Sequence, residues 1–237
     1  MFNFIKYQEI QDLIRKHQKI SQIIAISKNQ PKESVIEALR HGVRMFGENK
    51  VQEAKIKFTE LFTKYQNIEL HFTGSLQTNK VKSALKIFQV FQTLDREKLA
   101  NEFIKFPNLT KDKKFFIQVN TGKESSKGGV MPNEAKDFIK YCLVELKLNI
   151  IGLMCIPPIE ENSKFHFTLL QKIARENNID QLSIGMSSDY TDAIMLNATY
   201  IRLGTILFGE RKCTIKYRSV AIMIRKLFLI LYYQIIN

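Results

Sequence analysis

Short apolar runs of five to nine residues alternate along the chain with longer stretches whose apolar positions recur every three to four residues. The strand candidates are IIAIS (23–27), RMFGE (44–48), ELHFTG (69–74), VFQTL (90–94), KFFIQVN (114–120), NIIGLMCI (149–156), QLSIGM (181–186) and YIRLGTILF (200–208). Branched and aromatic residues dominate them, as strands buried on both faces require. The clearest helical stretch is 49–65, where Val51, Ala54, Phe58, Leu61, Phe62 and Tyr65 line one face. PNEAKDFIKYCLVEL, with proline in its first turn and an early glutamate, suits a helix start.

Strands alternating with helices imply parallel pairing and right-handed crossovers. Eight such units predict an α/β fold, a single (β/α)8 TIM barrel, with the region before Ile20 as a leading helix. The rival, an open doubly wound sheet, would place a Gly-rich fingerprint after its first strand. SKNQPKES carries none. No internal repeat or linker divides the chain before residue 211.

Composition changes this picture little. The 237 residues, 45% apolar and 25% charged, are ordinary for a globular chain with a real core. Cys142, Cys155 and Cys213 are far apart without CxxC pairing, and His17, His41, His71 and His166 are scattered, so no metal site is expected. Reduced cysteines and an N-terminus with charges throughout point to a cytoplasmic protein without a secretory signal. The net charge of +13 is spread along the chain and accompanies no nucleic-acid motif or aromatic platform, so no nucleic-acid partner is expected.

In a barrel, all strand C-termini share one face, where such folds place their chemistry. Lys28 ends the first strand, and Glu48 and Asn49 end the second. TGSLQTNK (73–80) and VNTGKESSKGG (119–129) follow strands three and five, GMSSD (185–189) follows strand seven, and RLGTILFG (202–209) forms strand eight. A lysine closing a core strand is either a solvated strand end or a functional amine. GMSSD and the Gly-Thr at 204–205 sit where barrels often bind phosphate, although SSD also reads as an ordinary helix cap. A phosphate site opposite a core lysine suggests pyridoxal 5′-phosphate (PLP), whose aldehyde forms a Schiff base with a neutral amine. Burial would supply that neutral form. Arg202 falls on the same side of its strand as Gly204. It either faces the pyridine nitrogen or pairs with a carboxylate such as Glu48.

AISK, FGENKVQEA, HFTGSLQTNK, QVNTGKESSKGG, GLMCIPP, LSIGMSSD and IRLGTILFGER, in this order, resemble the pyridoxal phosphate homeostasis proteins (YggS/PROSC-like). These are single-domain relatives of the barrel half of alanine racemase. The resemblance implies that Lys28 is the Schiff-base lysine, that Ser187, Gly204 and Thr205 hold the phosphate, that Arg202 faces the pyridine nitrogen and that Asn49 lies beside the ring. It implies a PLP carrier in vitamin B6 balance without an established reaction, a monomer with PLP-dependent apo-enzymes as candidate recipients. The alternative is a PLP-dependent racemase, which needs a base on each face of the cofactor. Tyr190 and Tyr200 are available, but the second domain that supplies one base in two-domain racemases has no counterpart here. Ser75 stands where the family usually has histidine, a departure at the rim.

Residues 1–211 are thus expected to form the PLP-binding barrel and 212–237 a basic, apolar extension. From Arg211 onward there are six basic residues and no acid, and the last uncharged run, 227–237, is 11 residues long. A membrane span needs roughly 20. Lengthening the run would bury Arg225 and Lys226 at about 2.5–3.5 kcal/mol each. Membrane contact through the tail is not expected.

Overall fold

In the computed structural model, which describes residues 1–210, the eight apolar runs become eight parallel strands that pair in chain order and close into a barrel. They are β1 (Gln22–Ile26), β2 (Met45–Glu48), β3 (Glu69–Phe72), β4 (Val90–Leu94), β5 (Lys114–Gln118), β6 (Ile150–Met154), β7 (Gln181–Ser183) and β8 (Tyr200–Leu203). The closing seam sets Ile24 beside Arg202 and Ala25 beside Leu203. The expected (β/α)8 architecture is the observed one. Arg211 and the whole extension 212–237, Cys213 included, lie outside the described residues.

Ten helices accompany the barrel among the described residues. The leading one is α1 (Phe4–Lys16), capped by Asn3, whose side chain accepts from the Lys6 N–H. Then come α2 (Lys32–Arg40), α3 (Val51–Lys64), α4 (Val81–Leu85), α5 (Glu97–Ile104), α6 (Pro107–Thr110) and α7 (Ala135–Lys140). The series ends with α8 (Ser163–Glu176), α9 (Tyr190–Met195) and α10 (Thr205–Phe208). None is long and apolar enough to cross a membrane. α3 buries Ala54, Phe58 and Leu61 as its spacing predicts; each large apolar side chain so buried is worth about 1.5–3 kcal/mol. The helix expected from PNEAKDFIKYCLVEL begins only at Ala135, and its last turn, Tyr141–Glu145, widens to π winding.

Two apolar layers result. The larger lies between the helices and the outside of the barrel. The smaller fills the barrel interior with Ile24, Val90, Phe116, Met154 and Tyr200. Gly152 belongs to this inner layer for steric reasons: a Cβ there would lie 2.1 Å from a ring carbon of Phe116.

The principal difference from the sequence reading is where strands stop. The runs read as 69–74, 114–120, 149–156, 181–186 and 200–208 end as strands at 72, 118, 154, 183 and 203. Strand eight is the clearest case, since TILF turns into α10 instead of extending β8. An apolar run has no periodicity of its own to choose between strand and helix. Here the choice is tertiary: Phe208 packs on Phe2 with ring centroids 5.4 Å apart, and the Asn3 N–H donates to the Leu207 carbonyl at 2.7 Å.

Candidate functional site

Alternation along β1 turns Ile24 and Ile26 into the barrel, where both would meet a Cβ placed on Gly47. Lys28 continues that parity two residues beyond the strand, at the C-terminal mouth, and is half-buried. The chain turns sharply after it. Asn29 adopts a left-handed φ of 60° and the Gln30 N–H donates to the Ser27 carbonyl at 3.0 Å. Asparagine tolerates that conformation better than most residues. The Asn29 N–H itself donates to Glu53 Oε1 on α3 at 2.5 Å.

Behind this turn lies a buried ionic group that the sequence did not announce. Lys57 of α3 donates to Glu48 Oε1 at 2.8 Å and to the Ser27 carbonyl at 2.6 Å, and pairs with Glu53 at 2.7 Å. Ser27 Oγ also donates to Glu48 Oε1, at 2.7 Å. Burial pushes the Glu48 carboxyl above its ordinary range against the pull of Lys57. Glu48 is therefore the partner of Lys57, which corrects the alternative in which it pairs with Arg202. Next to it, the Asn49 Oδ1 is buried with no hydrogen-bond partner among the described residues. Its backbone is gripped by the loop after β3, since a Cβ on Gly74 would lie 2.4 Å from the Asn49 carbonyl oxygen.

The loops after β7 and β8 meet each other. Gly185 has φ +87° and no room for a side chain, a Cβ falling 2.5 Å from the Ala193 Cβ. The Met186 N–H donates to Asp189 Oδ1 at 2.5 Å, so Asp189 ties the loop instead of capping α9. Ser187 Oγ accepts from the Ile206 N–H at 3.4 Å, bridging to α10, which starts at Thr205 with Gly204 as the residue before it. A Cβ at Gly204 would meet nothing closer than 3.5 Å, so packing does not demand glycine there.

Arg202 is the most constrained member. It is 5% exposed and donates to the Ser183 carbonyl at 2.6 Å, to Ser183 Oγ at 2.8 Å and to the Cys155 carbonyl at 2.9 Å. Among the described residues no carboxylate lies within ion-pairing distance of it. Burial lowers its pKa, while Cys155 and Asp189 pull the other way. Burial pushes the Cys155 thiol up to about 12, so it stays unreactive.

Lys28, Asn49, Ser187, Gly204 and Thr205 thus follow four strands that are consecutive around the barrel, β7, β8, β1 and β2, with Arg202 inside β8. A cavity of about 500 Å³ lies to one side of this group. It is lined by Asn49, Lys50, Gly74, Gln77 and Lys80 among others, and reaches none of the remaining five. Lys57 and Ser183 were missed. The signal for Ser183 was a hydroxyl at an inward position of an apolar strand; Lys57 occupied the face of α3 between Ala54 and Leu61.

The closed barrel, its leading helix and this mouth define a class, the barrel of the alanine racemase N-terminal domain type. The family model described as "Alanine racemase, N-terminal domain" matches residues 6–212. The pyridoxal phosphate homeostasis protein of Aquifex aeolicus is 39% identical over 204 residues, covering 81% of this chain and 88% of its own. That of Escherichia coli is 36% identical, covering 80% and 85%. PipY of Synechococcus elongatus, solved with PLP bound, superposes with a TM-score of 0.70 at 31% identity, covering 80% of this chain and 92% of PipY. Alanine racemase of Clostridium difficile, at 15% identity and a TM-score of 0.65, shares the fold, and the match covers 59% of that enzyme. The chain belongs to the pyridoxal phosphate homeostasis protein family.

Proposed function

We propose that this chain binds PLP reversibly at the mouth formed by β7, β8, β1 and β2 and serves in vitamin B6 homeostasis as a carrier. When bound, PLP supplies an aldehyde that a lysine amine captures reversibly as a Schiff base. The residues present fit such a group. Lys28 offers the amine, half-buried at the end of an inward-facing strand position. Ser187, Gly204 and Thr205 offer a hydroxyl, a bare backbone and a second hydroxyl for a phosphate, and the Asn49 Oδ1 beside the mouth has no partner among the described residues.

Arg202 is the observation that carries the reading. A buried guanidinium held, among the described residues, only by two carbonyls and one hydroxyl is expensive for a fold. Its register puts it beside Ile24, four residues before Lys28. An arginine can donate to a pyridine nitrogen but cannot protonate it at neutral pH. The ring then stays a poor electron sink, which favours holding the cofactor over catalysis on it. For the racemase alternative, Tyr200 is buried among His71 and Phe116 with its hydroxyl pushed up to about 12, and Tyr190 opens α9. Neither pattern favours a racemase base. On this reading the protein is cytoplasmic, acts as a monomer, has residues 1–211 as its PLP-binding unit, and passes PLP to apo-enzymes.

The test is a visible spectrum of the purified protein with PLP, before and after borohydride, with peptide mapping. The expected result is a visible band, its loss on reduction with the label on the Lys28 peptide, and no band in Lys28→Ala. Failure to form the band, or labelling elsewhere, overturns the reading. Measurable D-alanine formation from L-alanine would favour the racemase.

A further inference from the structure

Below Arg202 the barrel interior holds a line of polar side chains that crosses from β8 to β3. Arg202 donates to Ser183 Oγ at 2.8 Å, and Ser183 Oγ donates to Gln92 Oε1 at 2.5 Å. Gln92 Nε2 lies 3.0 Å from His71 Nδ1, and His71 Nε2 lies 2.9 Å from Glu69 Oε1. Lys114 closes the line from the far side, donating to Glu69 Oε2 at 3.1 Å. Ser183, Gln92 and His71 are each fully buried. They sit among Ile24, Val90, Phe116, Met154 and Tyr200, so an apolar filling would be the ordinary solution at these positions.

The line has one direction. Gln92 accepts from Ser183 through its carbonyl oxygen, so its amide N–H groups point at His71 Nδ1, which must be the bare ring nitrogen. The imidazole proton then sits on Nε2 and is donated to the Glu69 carboxylate. From Arg202 to Glu69 every donor points away from Arg202 and every accepting lone pair faces back toward it, while Lys114 approaches Glu69 from the far side. A buried cation at one end and a carboxylate at the other are linked by dipoles that all stabilise both charges. Reversing Gln92 would require a proton on His71 Nδ1, an imidazolium in a site that burial keeps neutral.

We propose that Ser183, Gln92 and His71 are positioning residues that fix the Arg202 guanidinium at the cofactor's ring nitrogen through this one-directional chain. The inference rests on the reading above that Arg202 faces that nitrogen. A guanidinium with a long, flexible stem needs such an anchor to present one N–H at a fixed point. The two carbonyls fix its depth in the barrel. Ser183 Oγ is its one side-chain acceptor among the described residues, and the orientation of that hydroxyl is dictated through Gln92 by the His71 tautomer.

The experiment uses full-length protein loaded with PLP labelled with ¹⁵N in the ring. Borohydride fixation on the Lys28 peptide of the wild type comes first; without it the functional reading falls, and this inference with it. With it, the ring ¹⁵N shift of the wild type is expected to stay at its unprotonated position across the neutral pH range. In Ser183→Ala and Gln92→Glu the shift should titrate, and PLP release should quicken by about tenfold, the scale of one lost hydrogen bond to a charged group. Ser183→Thr, which keeps the hydroxyl, should restore the flat profile. Ser183→Ala removes a single atom, so it reports even where Gln92→Glu does not fold. Unchanged shifts and release rates in a folded Ser183→Ala that still labels on Lys28 would overturn the positioning role and leave the carrier reading intact.

Discussion

The ammonium of Lys57 lies 2.8 Å from Glu48 Oε1, both side chains sealed between α3 and the outside of β2. The same ammonium donates to the carbonyl of Ser27, the residue before the proposed cofactor lysine. The buried pair therefore fixes the backbone from which Lys28 projects, although neither member reaches the barrel mouth itself.

Removing one partner of such a pair leaves a buried charge without its counterion, which costs about 3–5 kcal/mol. Lys57→Met is expected to destabilise the protein by about that amount in urea denaturation. Glu48→Gln should cost less, because Lys57 keeps Glu53 at 2.7 Å and the Ser27 carbonyl at 2.6 Å as partners. Equal losses for the two variants would contradict the assignment.

Glu53 serves both sides of the same turn, pairing with Lys57 and accepting from the Asn29 N–H. Glu53→Gln keeps an oxygen acceptor but removes the charge. We expect stability to fall by about 1 kcal/mol or less, the scale of a partly exposed pair, while PLP release speeds up several-fold because the Lys28 turn loosens. Stopped-flow release into an excess of a PLP-accepting apo-enzyme would measure this; a release rate equal to wild type would count against it.

His71 and Glu69 give the barrel a definite acid response. Burial holds the His71 imidazole below its ordinary 6.5 in the folded chain. Below about that pH the unfolded chain takes up a proton that the folded chain resists, so stability falls as pH drops through 6.5. Glu69 is held at about 2, chiefly by its hydrogen bond from His71. Its contribution is complete above its ordinary 4.5 and is lost as pH falls from there toward 2. Denaturation midpoints across pH should show an upper and a lower step. His71→Gln should abolish the upper step and shrink the lower one.

Gly152→Ala would push a methyl group into the Phe116 ring. Overpacking of this kind costs about 1–3 kcal/mol. Phe116→Leu in the same chain should recover part of the loss, because it makes room at the point of contact. A double variant no more stable than Gly152→Ala alone, by thermal unfolding, would show that the clash is relieved elsewhere.

Much of this was open to reading from residue order. The eight runs, their alternation with helical spacing, and the lack of a Gly-rich turn after the first strand led to the barrel, because burial on both faces leaves a continuous apolar run. Parity along IRLG placed Arg202 on the same side of its strand as Gly204, since alternate residues of a strand share a face, and the end of IIAISK placed Lys28 at the mouth. The motif order led to the family.

Other features were settled only by closure of the barrel. Ser183 and Gln92 are 91 positions apart and bond only because β4 and β7 face each other across the interior. Lys57 is buried because Glu48 of β2 and the Ser27 carbonyl after β1 converge on it, joining Glu53 one turn back on its own helix. TILF became a helix because Phe2 and Asn3 come to meet it from the opposite end of the chain. Local order along a chain dictates which face of each segment must leave water. Which polar group then answers which is fixed by distances that exist only once β1 has met β8.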